Sequence, residues 1–269
     1  MEELKTMGLV IREVQLKEAD KLLTVLTPEH GKILVSGKGV QSLRSPHMAS
    51  AQIFSYSNFV FRKSKKYYYI TDSDTEECFF PIRYDVEKLA LANYRCDVAC
   101  DLALEDVSDP ELLRLMLNTL YALGNKKDLN NELLRASFEF RAAVQAGYLP
   151  ILDECGICGG EVSGERVVFD VMNGHLKCHK CITLMKKEGI DPDGTADITF
   201  HLTEPIIAAL RYISSAPIKK YLSFNLADEE IPMFSAFCET YLLSHLEHTF
   251  NSLKYYKKIK RFGLPDDYE

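Results

Sequence analysis

A chain of 269 residues exceeds what one small core serves and predicts two or three domains. Its 46% hydrophobic and 26% charged residues are ordinary for a globular protein, and no apolar run approaches the roughly 18 residues of a membrane span. The start, Met1-Glu2-Glu3-Leu4-Lys5, lacks an apolar signal core, so the expectation is a cytoplasmic protein whose eight cysteines are metal-bound or reduced. The net charge of −7 hides an asymmetry. Residues 1–70 carry 11 Lys/Arg against 6 Asp/Glu, residues 71–253 carry 16 against 30, and residues 254–269 carry 5 against 3. A basic head and a basic tail segment around an acidic middle imply separate anionic and cationic partners.

In chain order the first signal is β. Gly8–Leu16 alternates and is β-branched; Lys21–Thr27 and Lys32–Ser36 follow, joined by the four-residue turn Pro28-Glu29-His30-Gly31. After a Gly/Ser/Pro-rich link from Gly37 to Pro46 come a long strand, Gln52–Arg62, the basic turn Lys63-Ser64-Lys65-Lys66, and a strand from Tyr67 to Thr71. Five strands with one longer insertion predict a small closed barrel of the OB type. An SH3-like barrel has the same periodicity and stays open.

From Asp85 the period becomes helical. Asp85–Glu105 sets Leu89, Ala92, Cys96, Ala99 and Ala103 on one side. Asp109-Pro110 caps a second helix, Glu111–Leu123, which stops at Gly124. A third, Leu129–Ala146, ends before Gly147 and Pro150. Beyond a cysteine-rich segment and a Gly/Asp/Pro-rich loop, Gly189 to Asp197, Thr203 caps Ile206–Ser214, and Pro232–Phe250 is the last long helix. The predicted class is therefore α+β and multidomain. An OB-type barrel over 1–80 precedes a helical domain over 81–269, which carries an inserted four-Cys zinc hairpin over 151–185.

That hairpin is the sharpest motif. Cys155-x-x-Cys158 and Cys178-x-x-Cys181 are separated by 19 residues, inside the window for a four-thiolate zinc site. Each Cys-x-x-Cys turn brings two sulfurs to one side of a metal, and zinc takes four in a tetrahedron. Val167-Val168-Phe169, the turn pair Asn173-Gly174 and His175-Leu176-Lys177 supply a hairpin that joins the pairs. Two disulfides would need an oxidising compartment, and a thioredoxin-type pair would leave the second Cys-x-x-Cys unexplained. Four cysteines complete a closed shell, so His175 and His179 are expected outside it and the one zinc ion is expected to be structural. Cys96 and Cys100, four apart on a helix, read as core thiols, as do Cys78 and Cys238.

Catalytic constellations are missing from the sequence. Gly37-Lys38-Gly39 lacks the spacing and ending of a P-loop, and no metalloprotease, nucleophile-elbow or zinc-deaminase signature occurs. The expectation is a protein that is not an enzyme. A metal or thiol enzyme would require an open metal position or a reactive low-pKa thiol.

Nucleic-acid binding has positive signals. OB-type barrels hold single strands by a basic groove and aromatic stacking faces. Here Arg62, Lys63, Lys65 and Lys66 adjoin Tyr67, Tyr68 and Tyr69, with Lys32, Lys38 and Arg44 on or beside the preceding hairpin. Alternation puts Tyr67 and Tyr69 on one barrel face and Tyr68 on the other, so not all three stack on bases. The same residues also fit a solvated hairpin tip with barrel-filling aromatics. The tail supplies a second candidate in Lys254, Lys257, Lys258, Lys260 and Arg261, or else a frayed, solvated helix end. A zinc-ribbon scaffold that binds only proteins is the rival from another class.

The order of parts, and particular residues within it, resemble the bacterial recombination-mediator RecO family. Glu18-Ala19-Asp20-Lys21-Leu22-Leu23-Thr24-Val25-Leu26-Thr27, His30-Gly31-Lys32 and Gly37-Lys38-Gly39-Val40 are similar to its N-terminal signature. Leu133-Leu134-Arg135, Phe138-Glu139 and Gly147-Tyr148-Leu149-Pro150 resemble the helix leading into its zinc segment, and the four cysteines resemble its zinc ligands. The resemblance implies a cytoplasmic, nucleoid-associated DNA-damage function without catalysis. It implies binding of single- and double-stranded DNA and annealing of complementary single strands. Also implied are work with RecR to load RecA onto strands coated by single-strand-binding protein, and contact with that protein's acidic C-terminal tail.

Overall fold

The computed structural model describes residues 3–16, 18–64, 66–125, 130–162, 167–190 and 198–262. Five strands come first: β1 (Glu3–Gln15), β2 (Lys21–Thr27), β3 (Gly31–Gly37), β4 (Tyr56–Lys63) and β5 (Tyr68–Glu77). Helices α1 (Val86–Leu102), α2 (Pro110–Asn125) and α3 (Asn131–Gln145) follow, then β6 (Ile151–Cys155), β7 (Val167–Asp170), β8 (His175–Lys177) and α4 (His179–Lys187). The chain continues through β9 (Thr199–Leu202), α5 (Glu204–Ser215), α6 (Ile231–Leu246) and α7 (Asn251–Phe262). No helix among the described residues is long and apolar enough to cross a membrane.

The first five strands close into a barrel in the order β1-β2-β3-β5-β4. Closure depends on β1, whose one half pairs with β4 (Glu3↔Arg62) and whose other half pairs with β2 (Val14↔Leu22). A register shift between Val10 and Arg12 marks a bulge, which adds the bend one strand needs to serve two neighbours. β3 meets β5 in parallel, Val35↔Tyr68 and Ser36↔Tyr69. The connection between β3 and β4 contributes to the interior: its Val40 and Ala51 join Val10, Val25, Val35, Phe59 and Phe61 in the core.

Three strand boundaries differ from expectation by more than one residue; β1 begins at Glu3, not Gly8, because β4 offers it partners back to Glu3. β4 begins at Tyr56, not Gln52, because residues 45–55 run through successive turns closed by bonds such as Ala51 N to His47 O (3.1 Å) and Ser55 N to Gln52 O (3.1 Å). β5 runs past Thr71 to Glu77, since the ladder with β4 carries Asp72-Ser73-Asp74 along despite their poor intrinsic strand preference.

By packing, the chain parts into residues 1–128 with 250–269, and residues 129–249. This differs from the expected break at residue 80, which follows element type. The reason is that α1 packs on β1, α2 packs on β2, and α7 packs on α1. Asp85 caps α1 by accepting from Lys88 N at 3.0 Å. Asp97 in α1 then ties two partners together, accepting from Arg12 of β1 (3.1 Å) and from Ser252 of α7 (2.7 Å).

The second unit joins α3, α5 and α6 to a four-stranded sheet ordered β6-β8-β7-β9. Phe169 of β7 meets Phe237 of α6 edge-on at 4.9 Å, which seats the sheet on the helix. The expected hairpin over 167–177 is present, and β9 extends it (Val168↔His201), a strand the sequence pattern did not predict. The Gly189–Asp197 loop falls largely outside the described residues, which resume at 198. The predicted helix Pro232–Phe250 ends at Leu246, where Glu247 takes a left-handed conformation (φ 50°), and Phe250 leads instead into α7.

Candidate metal centre and nucleic-acid interface

Cys155 ends β6, Cys158 lies in the turn that follows, Cys178 caps α4 and Cys181 sits in its first turn. The turn is tight: Gly159 N donates to the Cys155 carbonyl and Cys155 N to the Gly160 carbonyl, each at 2.8 Å, with Gly159 at φ +66°. A side chain at Gly156 would put its Cβ 2.2 Å from the His175 ring, so the knuckle and the hairpin approach each other only through glycine.

All four sulfurs lie within 4.8 Å of one another. Cys155 Sγ to Cys181 Sγ and Cys158 Sγ to Cys178 Sγ are both 3.8 Å. A tetrahedral thiolate site with metal–sulfur bonds of about 2.3 Å places its sulfurs about 3.8 Å apart, so these residues fit such an ion. The separation is far beyond a disulfide bond of about 2.05 Å, and all eight cysteines are free thiols. His179 is exposed and His175 is half-buried; among the described residues neither joins the cluster.

The surroundings polarise these thiols. Burial pushes Cys155 up, but backbone N–H donors from Cys178, Cys158 and Ile157 outweigh it and bring the thiol down to about 6. Burial and the three neighbouring thiols push Cys181 up. Beside the cluster, Lys177 and Asp170 pair at 2.9 Å with both side chains buried. Cys96, Cys100 and Cys238 are core thiols; burial raises all three, Cys100 to about 11.

On the barrel, three ammonium groups stand over three tyrosine rings: Lys38 over Tyr69, Lys63 over Tyr68 and Lys66 over Tyr67, each 5.4 Å from the centroid. Tyr68 also meets Phe61 edge-on at 6.0 Å and packs against the barrel core. A groove of about 180 Å³ gathers Lys32, Lys63 and Lys66 with Tyr67 and Tyr68. Lys38, Arg44 and Arg62 are exposed but do not line it, and Lys65 lies outside the described residues. Lys32 is partly committed elsewhere, since its Nζ donates to the Cys100 carbonyl at 2.7 Å.

Two acids line the same groove, Glu105 and Asp106. Sequence reasoning missed them. They lie more than 35 residues from the basic turn and are brought to it by the bridge Gly31↔Glu105 and the backbone bonds around it, such as Asp106 N to the His30 carbonyl. The basic tail is an ordered amphipathic helix. In α7, Leu253, Tyr256 and Ile259 are buried while Lys254, Lys257, Lys258, Lys260 and Arg261 are exposed. Phe250 meets Tyr94 of α1 edge-on at 5.6 Å, so tail and barrel belong to one packed unit.

Two family models cover nearly the whole chain in order: Recombination protein O N terminal matches residues 1–79, and Recombination protein O C terminal matches residues 83–254. The chain belongs to the RecO family. It is 30% identical over 261 residues to the DNA repair protein RecO of Acetivibrio thermocellus, covering 97% of this chain and 99% of that one. It is 29% identical over 260 residues to the namesake from Alkaliphilus metalliredigens, covering 95% and 99%. With the RecO of Caldicellulosiruptor bescii it shares 33% over 232 residues, covering 86% and 92%. The family's two parts meet at the 3-10 turn Phe80–Tyr84, between barrel and helices.

Proposed function

We propose that this protein is a non-enzymatic recombination mediator in DNA repair. It binds single- and double-stranded DNA, anneals complementary single strands, and with RecR helps load RecA onto strands coated by single-strand-binding protein, whose acidic C-terminal tail it contacts. Its place of action is the nucleoid. The barrel is read as an OB type: a closed five-strand ring with a parallel β3–β5 junction supports that reading over an SH3-like one. The metal is read as one structural zinc ion held by Cys155, Cys158, Cys178 and Cys181, since four soft thiolates at tetrahedral spacing suit it.

The observation that carries the DNA reading is the ammonium-over-tyrosine row, Lys38–Tyr69, Lys63–Tyr68 and Lys66–Tyr67. Tyr68 is packed on the barrel core; ammonium groups that turn to phosphates leave the Tyr67 and Tyr69 faces to bases of any sequence, which is the chemistry of a sequence-tolerant single-strand site. Lys32, Arg44 and Arg62 extend the basic surface, Lys65 adds a cation to the same turn in sequence, and the α7 cations Lys254, Lys257, Lys258, Lys260 and Arg261 form a second contact. Annealing follows physically, because two phosphate backbones held on one basic surface repel each other less.

The test is annealing of complementary strands, with and without single-strand-binding protein, by wild type and a Lys63/Lys65/Lys66→Ala variant. The expected result is loss of annealing together with a shallower salt dependence of single-strand affinity. Unchanged affinity and salt slope would remove the β4–β5 turn from the site. A scaffold that binds only proteins would show no strand binding at low salt.

A further inference from the structure

The segment Ala103–Asp109, between α1 and α2, is strapped across the β2–β3 hairpin. Lys32 N donates to the Leu104 carbonyl, Asp106 N to the His30 carbonyl and Asp109 N to the Pro28 carbonyl, each at 3.1 Å, and Ser108 Oγ donates to Pro28 O at 3.0 Å. The approach is closer than any side chain permits: a Cβ on Gly31 would come within 2.1 Å of the Leu104 carbonyl oxygen and 2.6 Å of that of Val107. This attachment sets Glu105 and Asp106 in the wall of the groove that holds Lys32, Lys63, Lys66, Tyr67 and Tyr68. Asp106 keeps a left-handed backbone (φ 57°) to do so.

We propose that this strap is an autoinhibitory element, with Glu105 and Asp106 as built-in counter-charges that compete with strand phosphates for the groove's lysines. The proposal rests on the barrel groove being a strand-binding site. Two carboxylates against three ammonium groups leave the groove a net charge of +1, and one ammonium, that of Lys32, is already held by a carbonyl. Strands are therefore held mainly by stacking, with the phosphate contribution damped. A surface that must exchange strands while they find their complement works by weak holding, and the strap sets how weak.

The experiment is equilibrium binding of a fluorescent oligothymidylate to the full chain carrying Glu105→Gln and Asp106→Asn. Both side chains are exposed, and Asn tolerates the left-handed backbone at 106, so the fold is kept. Removing two like charges at close range is expected to tighten binding about five- to tenfold at low salt, and the gain should fade as salt rises. The control is Asp74→Asn with Glu76→Gln, exposed acids toward the opposite end of β5 from Tyr68, expected to stay within about twofold of wild type. Wild-type affinity in the strap variant, or an equal gain in the control, overturns the proposal. The two failures separate cleanly. If Lys63/Lys65/Lys66→Ala leaves binding unchanged, the barrel reading falls. If that variant weakens binding and the strap variant does nothing, the barrel reading stands and the strap has no such role.

Discussion

Arg135 of α3 and Glu239 of α6 meet at 2.6 Å, 104 residues apart in sequence. The same guanidinium pairs with Glu139 at 2.7 Å and with Glu132, and donates to Ser235 at 2.5 Å, all inside the second unit. One cation thus bridges three acids from both helices at a position only 2% exposed, offsetting one of their three charges. Removing it strands the buried Glu139 carboxylate beside two partly buried ones, which costs far more than the pair itself contributes. Arg135→Ala should destabilise this unit by about 3–5 kcal/mol. Thermal unfolding checks this, and a shift within error of wild type contradicts it.

A metal ion held by the four-cysteine cluster, as proposed, makes the local fold depend on it. A strong chelator, or Cys155→Ala, should unfold the segment over 151–187 first, because structural metal binding and local folding are one equilibrium. Metal analysis should return one zinc per chain from wild type and none from the variant. Protons compete with the metal for thiolates, so the ion should be released as the pH falls, not as it rises. A variant without the ion that kept wild-type protease resistance in this segment would contradict the structural reading.

Asp170 gives a second pH-dependent element. Burial alone would raise its carboxyl, but bonds from Lys177 and Asn173 outweigh burial and hold it below the usual range. Its contribution is therefore complete above the unfolded-state value of about 3.9 and is lost as the pH falls through the lower folded value. Asp170→Asn removes the Lys177 pair and should destabilise the hairpin by about 3 kcal/mol near neutral pH. Its stability should also lose part of the acid dependence that wild type shows in denaturant titrations.

Gly31 is the position where the strap and the β2–β3 hairpin touch. Gly31→Ala combines a positive φ of 56° with a carbonyl oxygen 2.1 Å from the new Cβ. About 1–3 kcal/mol of destabilisation is expected from the backbone alone, with more where the strap is forced away. Hydrogen exchange should show residues 103–109 opening in the variant; unaltered protection there would mean the close approach is unimportant.

In α7, Lys254/Lys258/Arg261→Ala leaves the buried seam of Leu253, Tyr256 and Ile259 intact. The expectation is unchanged thermal stability with a shallower salt dependence of single-strand binding, by about 0.7 for each phosphate no longer neutralised. A change in stability without a change in slope would make these residues structural.

Much of the fold was legible where one rule governs a local stretch. Strand alternation, the capping residue Asp109, which accepts from Leu112 N at 2.9 Å, and the Asn173-Gly174 turn act over a few residues, so the pattern exposes them directly. The four clustered cysteines were legible for the same reason. Spacing within each Cys-x-x-Cys pair is a local constraint, and the hairpin between them carries its own turn signal. Boundaries at Tyr56 and Glu77 were hidden, because a strand persists as long as a neighbour offers hydrogen bonds, and the neighbour is elsewhere in the sequence.

The division is clearest in the barrel. The sequence by itself determined the basic and aromatic composition of the β4–β5 turn, the four thiolates and the family to which they belong. Only tertiary structure decided which of those charges share a groove. Lys63, Lys66, Tyr67 and Tyr68 are neighbours in sequence, but Lys32 joins them through the parallel β3–β5 pairing, and Glu105 and Asp106 join through the bridge at Gly31. Charge counted along a chain averages over distance. The potential a phosphate meets depends on the few side chains within a Debye length, and folding chooses them.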